Sequence, residues 1–161
     1  LLAPVLEYQY GRGELTLHSA DPHAAPIVAN RFCEDERDAR RLAECMLDTL
    51  AFTRTGALAE MITGVRFPDL SRGQSLEKME ALCRRFAGSG YHPSGTAKMG
   101  REEDAMAVVD PRGRCFDVEQ LVVADASIMP SVPRANTNLT CLMIGEHIGE
   151  WLRTEPDEYG L

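Results

Sequence analysis

Apolar and polar positions recur with two different periods along this chain. Near the N-terminal end, Leu15-Thr-Leu17 alternates with period two after Gly11-Arg-Gly13, which predicts a half-buried strand. Ser19-Ala-Asp21-Pro22 reads as a turn, and Ile27-Val28-Ala29 as a second strand pairing antiparallel with the first. From 35 to 62 the period becomes helical. Asp35 is the expected N-cap, Glu36 and Asp38 stand near the positive end of the helix dipole, and Ala39, Leu42, Met46 and Leu50 form an apolar stripe. Helicity is expected to break near Gly56 and resume. A Gly-, Pro- and Arg-rich connection over 64–73 leads to a further helix over 75–86, where Leu76, Met79, Leu82, Cys83 and Phe86 keep helical spacing. Both long helices read as core-facing with solvated acidic faces, and neither carries chemistry.

The character of the chain changes at Gly88-Ser-Gly90, a hinge-like loop. The unusual segment Tyr91-His92-Pro93-Ser94-Gly95-Thr96-Ala97-Lys98-Met99-Gly100 follows, then a charged, exposed stretch at 101–104. Val108-Val-Asp110-Pro111-Arg-Gly113-Arg predicts strand, tight turn, strand. Leu121-Val-Val-Ala124 has the continuous apolar character of a strand buried on both faces. Pro130 and Pro133 then enforce an extended loop. A last helix is expected over 139–153, with Ile144, Ile148, Trp151 and Leu152 on one face, ahead of a polar tail at 154–161.

Length and charge narrow the function classes. The 161 residues suit one domain with a sizeable core, and 44% apolar with 26% charged residues is ordinary for a globular chain. Twenty-five acidic against 17 basic residues give a net charge of −8, which argues against a polyanion-binding module. No apolar run approaches the length of a membrane span, and no leader pattern opens the chain, so a soluble, cytoplasmic protein or a piece of one is expected. Cys33, Cys45, Cys83, Cys115 and Cys141 are odd in number and widely spaced, which predicts reduced thiols and no metal site.

Of the four histidines, His18, His23 and His147 read as surface residues. His92 differs, because Pro93 restricts its backbone while Gly90 and Gly95 permit close approach of other segments. Such a loop can aim an imidazole at a ligand, though a merely satisfied loop histidine accounts for the residues equally well. Asn136-Thr137-Asn138, just ahead of the last helix, offers either an N-cap or a helix end that polarises an electron-rich ligand. Asp125, ending a strand-like run, fits both a turn and a ligand site beyond a strand terminus. No G-x-S-x-G, H-E-x-x-H or phosphate-loop pattern is present, and Gly11-x-Gly13 lacks the third glycine of a dinucleotide fold.

Taken in order, five stretches resemble the C-terminal region of the glucose–methanol–choline oxidoreductases, in the choline-dehydrogenase-like branch. They are Gly13-Glu-Leu-Thr-Leu-His-Ser-Ala-Asp-Pro22, the 91–100 segment, Val109-Asp-Pro111, Val122-Val-Ala-Asp-Ala-Ser-Ile-Met-Pro130 and Asn136-Thr-Asn-Leu-Thr-Cys-Leu-Met-Ile-Gly-Glu146. The resemblance covers roughly residues 10–153. It implies FAD-dependent oxidation of an alcohol substrate to a carbonyl, with the flavin carrying the redox chemistry. His92 matches the general base, and Asn136 the second position, where an amide orients the substrate oxygen but cannot act as a base. Asp125 and Ala126 match the segment beside the flavin, and Asn138 and Leu139 the segment approaching its pyrimidine end.

The implied fold class is α+β: an antiparallel sheet flanked by helices, forming part of a substrate-binding domain over 1–107. A C-terminal strand-loop-helix over 108–153 would return to an FAD-binding α/β layer. The N-terminal FAD-binding Rossmann part of the family is absent from this sequence, so the chain is expected to be the C-terminal portion of a longer enzyme. Alone it is expected to expose apolar surface, to hold FAD poorly and to turn over no alcohol. A stand-alone binding or regulatory module of the same fold and a hydroxynitrile-lyase-like flavoprotein are the rival readings. The reading frame upstream of Leu1 discriminates the module from the fragment.

Overall fold

In the computed structural model of the chain, which describes residues 2–67 and 74–160, Asp35 begins the first helix as predicted. Its carboxylate accepts a hydrogen bond from the Arg37 amide and caps helix α1, Glu36–Phe52. Ala39, Ala43 and Leu50 are buried along α1, with Leu42 and Met46 partly buried beside them. The predicted break is present, and a short helix α2, Gly56–Met61, starts with Gly56 at φ +52°. The 64–73 connection falls partly outside the described residues, at 68–73. Helix α3, Leu76–Phe86, is capped by the Ser75 hydroxyl, which accepts from the Lys78 amide. Ala43 of α1 packs with Met79 and Cys83 of α3, so the shared apolar stripe buries one helix against the other. Burial pushes the Cys83 thiol up to about 11, which keeps it protonated at neutral pH. Phe86, expected on that stripe, is instead exposed at the helix end, with its ring edge-on to Phe67 at 5.3 Å.

Asp38 overturns the expectation of a wholly solvated acidic face, for it is only 3% exposed. Its carboxylate accepts from the Tyr10 amide at 3.0 Å and the Gly11 amide at 2.7 Å, folding the N-terminal segment over the start of α1. Arg41 reinforces this fold by donating to the Tyr8 carbonyl at 2.8 Å, and the Arg37 guanidinium lies 4.0 Å from the Tyr10 ring centre. Beyond this segment, β1, Glu14–Thr16, pairs antiparallel with β2, Ile27–Ala29, in the register Leu15 opposite Val28. Leu15, Ile27 and Val28 are all exposed, so the strands are not half-buried. Their apolar positions mark a sheet surface that the described residues leave open.

The chain divides into two compact units, Leu1–Gly90 and Tyr91–Leu161, at the glycine-bracketed loop. By compactness the 91–107 segment therefore goes with the second unit, ahead of the functional boundary expected at 107/108. That unit is built around Val109, Ile128, Met129, Ile144 and Ile148, with Trp151 and Leu152 packed against them. Ile144 and Ile148 belong to helix α4, Asn138–Thr154, close to its predicted span.

Strand structure here is reduced to single bridges: Met99 with Val109, Val109 with Cys115, and Arg114 with Val122. The 121–124 run is not a strand buried on both faces. Among the described residues it pairs, through Val122, with the 113–115 segment alone, and Leu121 and Ala124 are exposed. The predicted tight turn is present. Asp110 accepts from the Arg112 and Arg114 amides at 2.8 and 2.9 Å, and Gly113 takes φ +77°. A Cβ at Gly113 would stand 2.4 Å from the Val123 carbonyl oxygen, so only glycine is accommodated.

The last residues are more than a polar tail. Pro156–Tyr159 forms a 3₁₀ turn whose Tyr159 is buried and donates its hydroxyl to the Arg112 carbonyl at 3.3 Å. Glu155 pairs with Arg112 at 2.6 Å, and Gln120 reaches the Gly160 carbonyl at 2.8 Å. No described helix is long and apolar enough to cross a membrane.

Candidate functional site

The second unit opens with Tyr91 at φ +64°, a left-handed conformation uncommon for an aromatic residue, immediately before His92. His92 is half-buried, whereas His18, His23 and His147 are exposed as predicted. Three main-chain hydrogen bonds lace the following loop to the 3₁₀ turn Ala126–Ile128. Gly95, Ala97 and Met99 donate to the carbonyls of Ala126, Ser127 and Ile128 at 3.2, 3.0 and 2.8 Å. Gly95 takes φ +83°, and a Cβ there would lie 3.2 Å from the Met129 carbonyl oxygen, so this glycine does serve close approach. Gly90 does not, since a Cβ there would meet only ordinary contact. Farther along the loop, Lys98 is paired with Asp104.

The loop brings the imidazole to the start of α4. His92 Nδ1 lies 3.0 Å from Thr137 Oγ1. Thr137 occupies the N-cap position of α4, yet its side chain does not cap the helix. Its backbone is right-handed, φ −71° and ψ −16°, where the caps of α1 and α3 are extended. The helix thus forgoes a side-chain cap worth about 1 kcal/mol, and the hydroxyl is turned to the histidine. Thr137 is 8% exposed, so the hydrogen bond is sheltered from water. The sequence marked this residue only as one of three candidate caps. The signal that singles it out is the pairing with His92, which no local pattern carries.

The other predicted residues are placed in different ways. Asn136 and Asn138 are exposed on either side of Thr137, and neither caps the helix. Leu139 is 76% exposed, and with Leu142 and Met143 it leaves the first two turns of α4 apolar and uncovered. Asp125 is exposed and accepts from the Ser127 amide at 2.7 Å, capping the 3₁₀ turn. Hydrogen bonds from Ser127, the side chain first and then the amide, hold the Asp125 carboxyl below its ordinary range. Its turn role is therefore the one the geometry displays. Ala126 is half-buried, and its carbonyl is engaged by Gly95.

Chemically, the arrangement offers an imidazole fixed at one nitrogen and leaves Nε2 as the atom available to a ligand. It also offers a helix start without a side-chain cap, whose first-turn amides point toward any electron-rich group placed there. An aromatic ring system with acceptor atoms on one edge suits both the apolar residues and those amides. The donor chemistry is compatible with a flavin.

Comparison with known proteins places these features in context. Residues 9–145 match the family described as GMC oxidoreductase. The chain is 35% identical over 148 residues to the oxygen-dependent choline dehydrogenase of Rhizobium rhizogenes, covering 90% of this chain and 26% of that protein. It is 38% identical over 144 residues to the mitochondrial choline dehydrogenase of Homo sapiens, covering 89% and 24%. Among solved structures, a fungal aryl-alcohol oxidase superposes with a TM-score of 0.76 at 26% identity, over 91% of this chain and 25% of that one. An FAD-dependent oxidoreductase from Chaetomium thermophilum gives 0.81 at 20% identity, over 90% and 25%. The chain spans about a quarter of the length of the curated relatives it matches.

Proposed function

The chain belongs to the GMC oxidoreductase family, and from that premise we propose that it forms the C-terminal part of an FAD-dependent enzyme oxidising a small-molecule alcohol to a carbonyl. His92 is the general base and Asn136 orients the substrate oxygen. The observation that carries this reading is the anchoring of His92 Nδ1 at 3.0 Å from Thr137 Oγ1, which commits one ring nitrogen and leaves Nε2 for the substrate hydroxyl. FAD, when bound, supplies the acceptor for the hydride that leaves the carbinol carbon. The substrate proton passes to His92 Nε2 as the O–H bond breaks and the carbonyl forms. The Asn136 amide donates to the substrate oxygen and fixes its approach, a role its exposure permits.

Asn138 and Leu139 are the residues best suited to meet the flavin. They sit in the first turn of α4, where Thr137 provides no side-chain cap. Asp125 and Ala126 line the same region through the turn they build rather than through a free carboxylate, because Ser127 and Gly95 already engage them. The rest of the flavin site lies in the proposed N-terminal FAD-binding part of the same polypeptide. The exposed apolar residues of α4, Leu139, Leu142 and Met143, support a shared surface with that part. The isolated chain is proposed to be inactive for the same reason.

The test is anaerobic titration of the full-length, FAD-loaded protein with a panel of alcohols, followed by visible absorption. Bleaching by one alcohol class supports the reaction type and names the substrate class. A bound flavin that no alcohol reduces contradicts it in favour of lyase-like chemistry, and a protein that never binds flavin removes the cofactor assignment.

A further inference from the structure

We propose that Thr137 is a positioning residue for His92: its Oγ1 accepts a hydrogen bond from Nδ1–H and fixes the imidazole in the tautomer whose Nε2 lone pair takes the substrate proton. The inference rests on the reading of His92 as the base. Three observations converge on it. The two atoms are 3.0 Å apart. Thr137 stands where a capping side chain belongs, yet its hydroxyl makes no bond to the helix it precedes, although Asp35 and Ser75 at the equivalent places of α1 and α3 both cap. Its backbone is right-handed, φ −71° and ψ −16°, where those two caps are extended, so the hydroxyl is turned away from the first-turn amides.

Burial of Thr137 makes the bond directional in effect. Water has little access to replace the hydroxyl at Nδ1, so loss of the bond frees the ring to rotate or to exchange tautomers. In the Nδ1–H tautomer, proton transfer from the substrate oxygen to Nε2 gives an imidazolium that keeps its bond to Thr137. In the opposite tautomer Nε2 already carries a proton and cannot accept another. A histidine held by a neighbouring oxygen in this manner follows the logic of the outer partners that orient metal-bound imidazoles, whose removal typically costs about 10–100-fold in metal affinity or activity.

The experiment compares Thr137→Val, which keeps the shape without the hydroxyl, with Thr137→Ser, which keeps the hydroxyl. Both are made in the full-length FAD-loaded protein. Nitrogen NMR of protein carrying labelled histidine, at alkaline pH and with His92→Gln for assignment, reads the tautomer without reference to turnover. Wild type and Thr137→Ser are expected to show Nδ1–H, and Thr137→Val a mixed or Nε2–H signal. Limiting rates of anaerobic flavin reduction should fall about 10–100-fold in Thr137→Val and recover in Thr137→Ser, with apparent substrate affinity little changed.

An Nε2–H signal in wild type overturns the inference outright. So does a Thr137→Val protein with an unchanged tautomer and rate, or one that loses FAD instead. Should Thr137→Val fail to fold, Thr137→Ala carries the same expectations, and the wild-type spectrum alone still decides the tautomer. If His92→Gln reduces flavin at the wild-type rate, the base assignment fails separately.

Discussion

His92 Nδ1 and Thr137 Oγ1 meet at 3.0 Å across 45 positions of sequence. That contact ties a glycine-containing loop to the start of a helix, and its register is set by groups outside it. Gly95, Ala97 and Met99 fix the loop on the 126–128 turn, while Ile128 and Met129 share a core with Ile144 and Ile148 of α4. The imidazole is therefore aimed by main-chain hydrogen bonds on one side and by helix packing on the other.

Gly113 is the most constrained point beneath this core. Its φ is +77°, and an added Cβ would come within 2.4 Å of the Val123 carbonyl oxygen and 2.8 Å of Ile148 Cδ1. Gly113→Ala should destabilise the chain by roughly 2–4 kcal/mol through backbone strain and overpacking. Gly88→Ala, which meets nothing within 4 Å, should leave the denaturation midpoint nearly unchanged. Equal effects of the two substitutions would contradict this account of the turn.

Asp38 holds the N-terminal segment onto α1 through the Tyr10 and Gly11 amides. Removing the carboxylate strands two amides that have no other described acceptor, so Asp38→Ala should cost about 1–3 kcal/mol. Asp38→Asn, which retains one acceptor oxygen, should cost less. Proteolysis within the first 12 residues should accelerate in Asp38→Ala while the α1–α3 helical signal persists. Unchanged stability and cleavage would show that the segment is held by something else.

Asn136→Ala, in the full-length flavoprotein, should slow flavin reduction by alcohol by less than loss of His92 does, and should leave FAD bound. An amide that only orients the substrate oxygen contributes a hydrogen bond, about tenfold in rate for each 1.4 kcal/mol. Loss of flavin from this variant, read from the visible spectrum of the purified protein, would assign Asn136 to holding the cofactor instead.

Much of this arrangement is local and hence legible in the sequence. Asp35 and Ser75 mark helix starts because a short polar side chain precedes an apolar stripe, and the stripes of α1 and α3 bury each other as spaced. His92 stands out from the other histidines through Pro93 and Gly95, chemistry that acts within a few residues. What escapes is long-range. Asp38 looks like any first-turn carboxylate until Tyr10 and Gly11 fold across it. Thr137 looks like a cap until His92 claims its hydroxyl. Tyr159, in a polar stretch, is buried because Arg112 supplies a carbonyl for its hydroxyl and Glu155 a second anchor. The 121–124 run has the composition of an interior strand, but that structure needs a neighbour on each edge, and only the 113–115 segment pairs with it among the described residues.

The central claim is that His92 takes the substrate proton. Its most direct test is the rate of anaerobic flavin reduction in full-length His92→Ala, measured by stopped-flow absorption with the best alcohol for the wild-type protein. A general base contributes roughly 10²–10⁴-fold, so the variant should bind FAD normally and reduce it slower by that factor. Reduction at the wild-type rate would contradict the claim and leave the 3.0 Å contact with Thr137 a structural one.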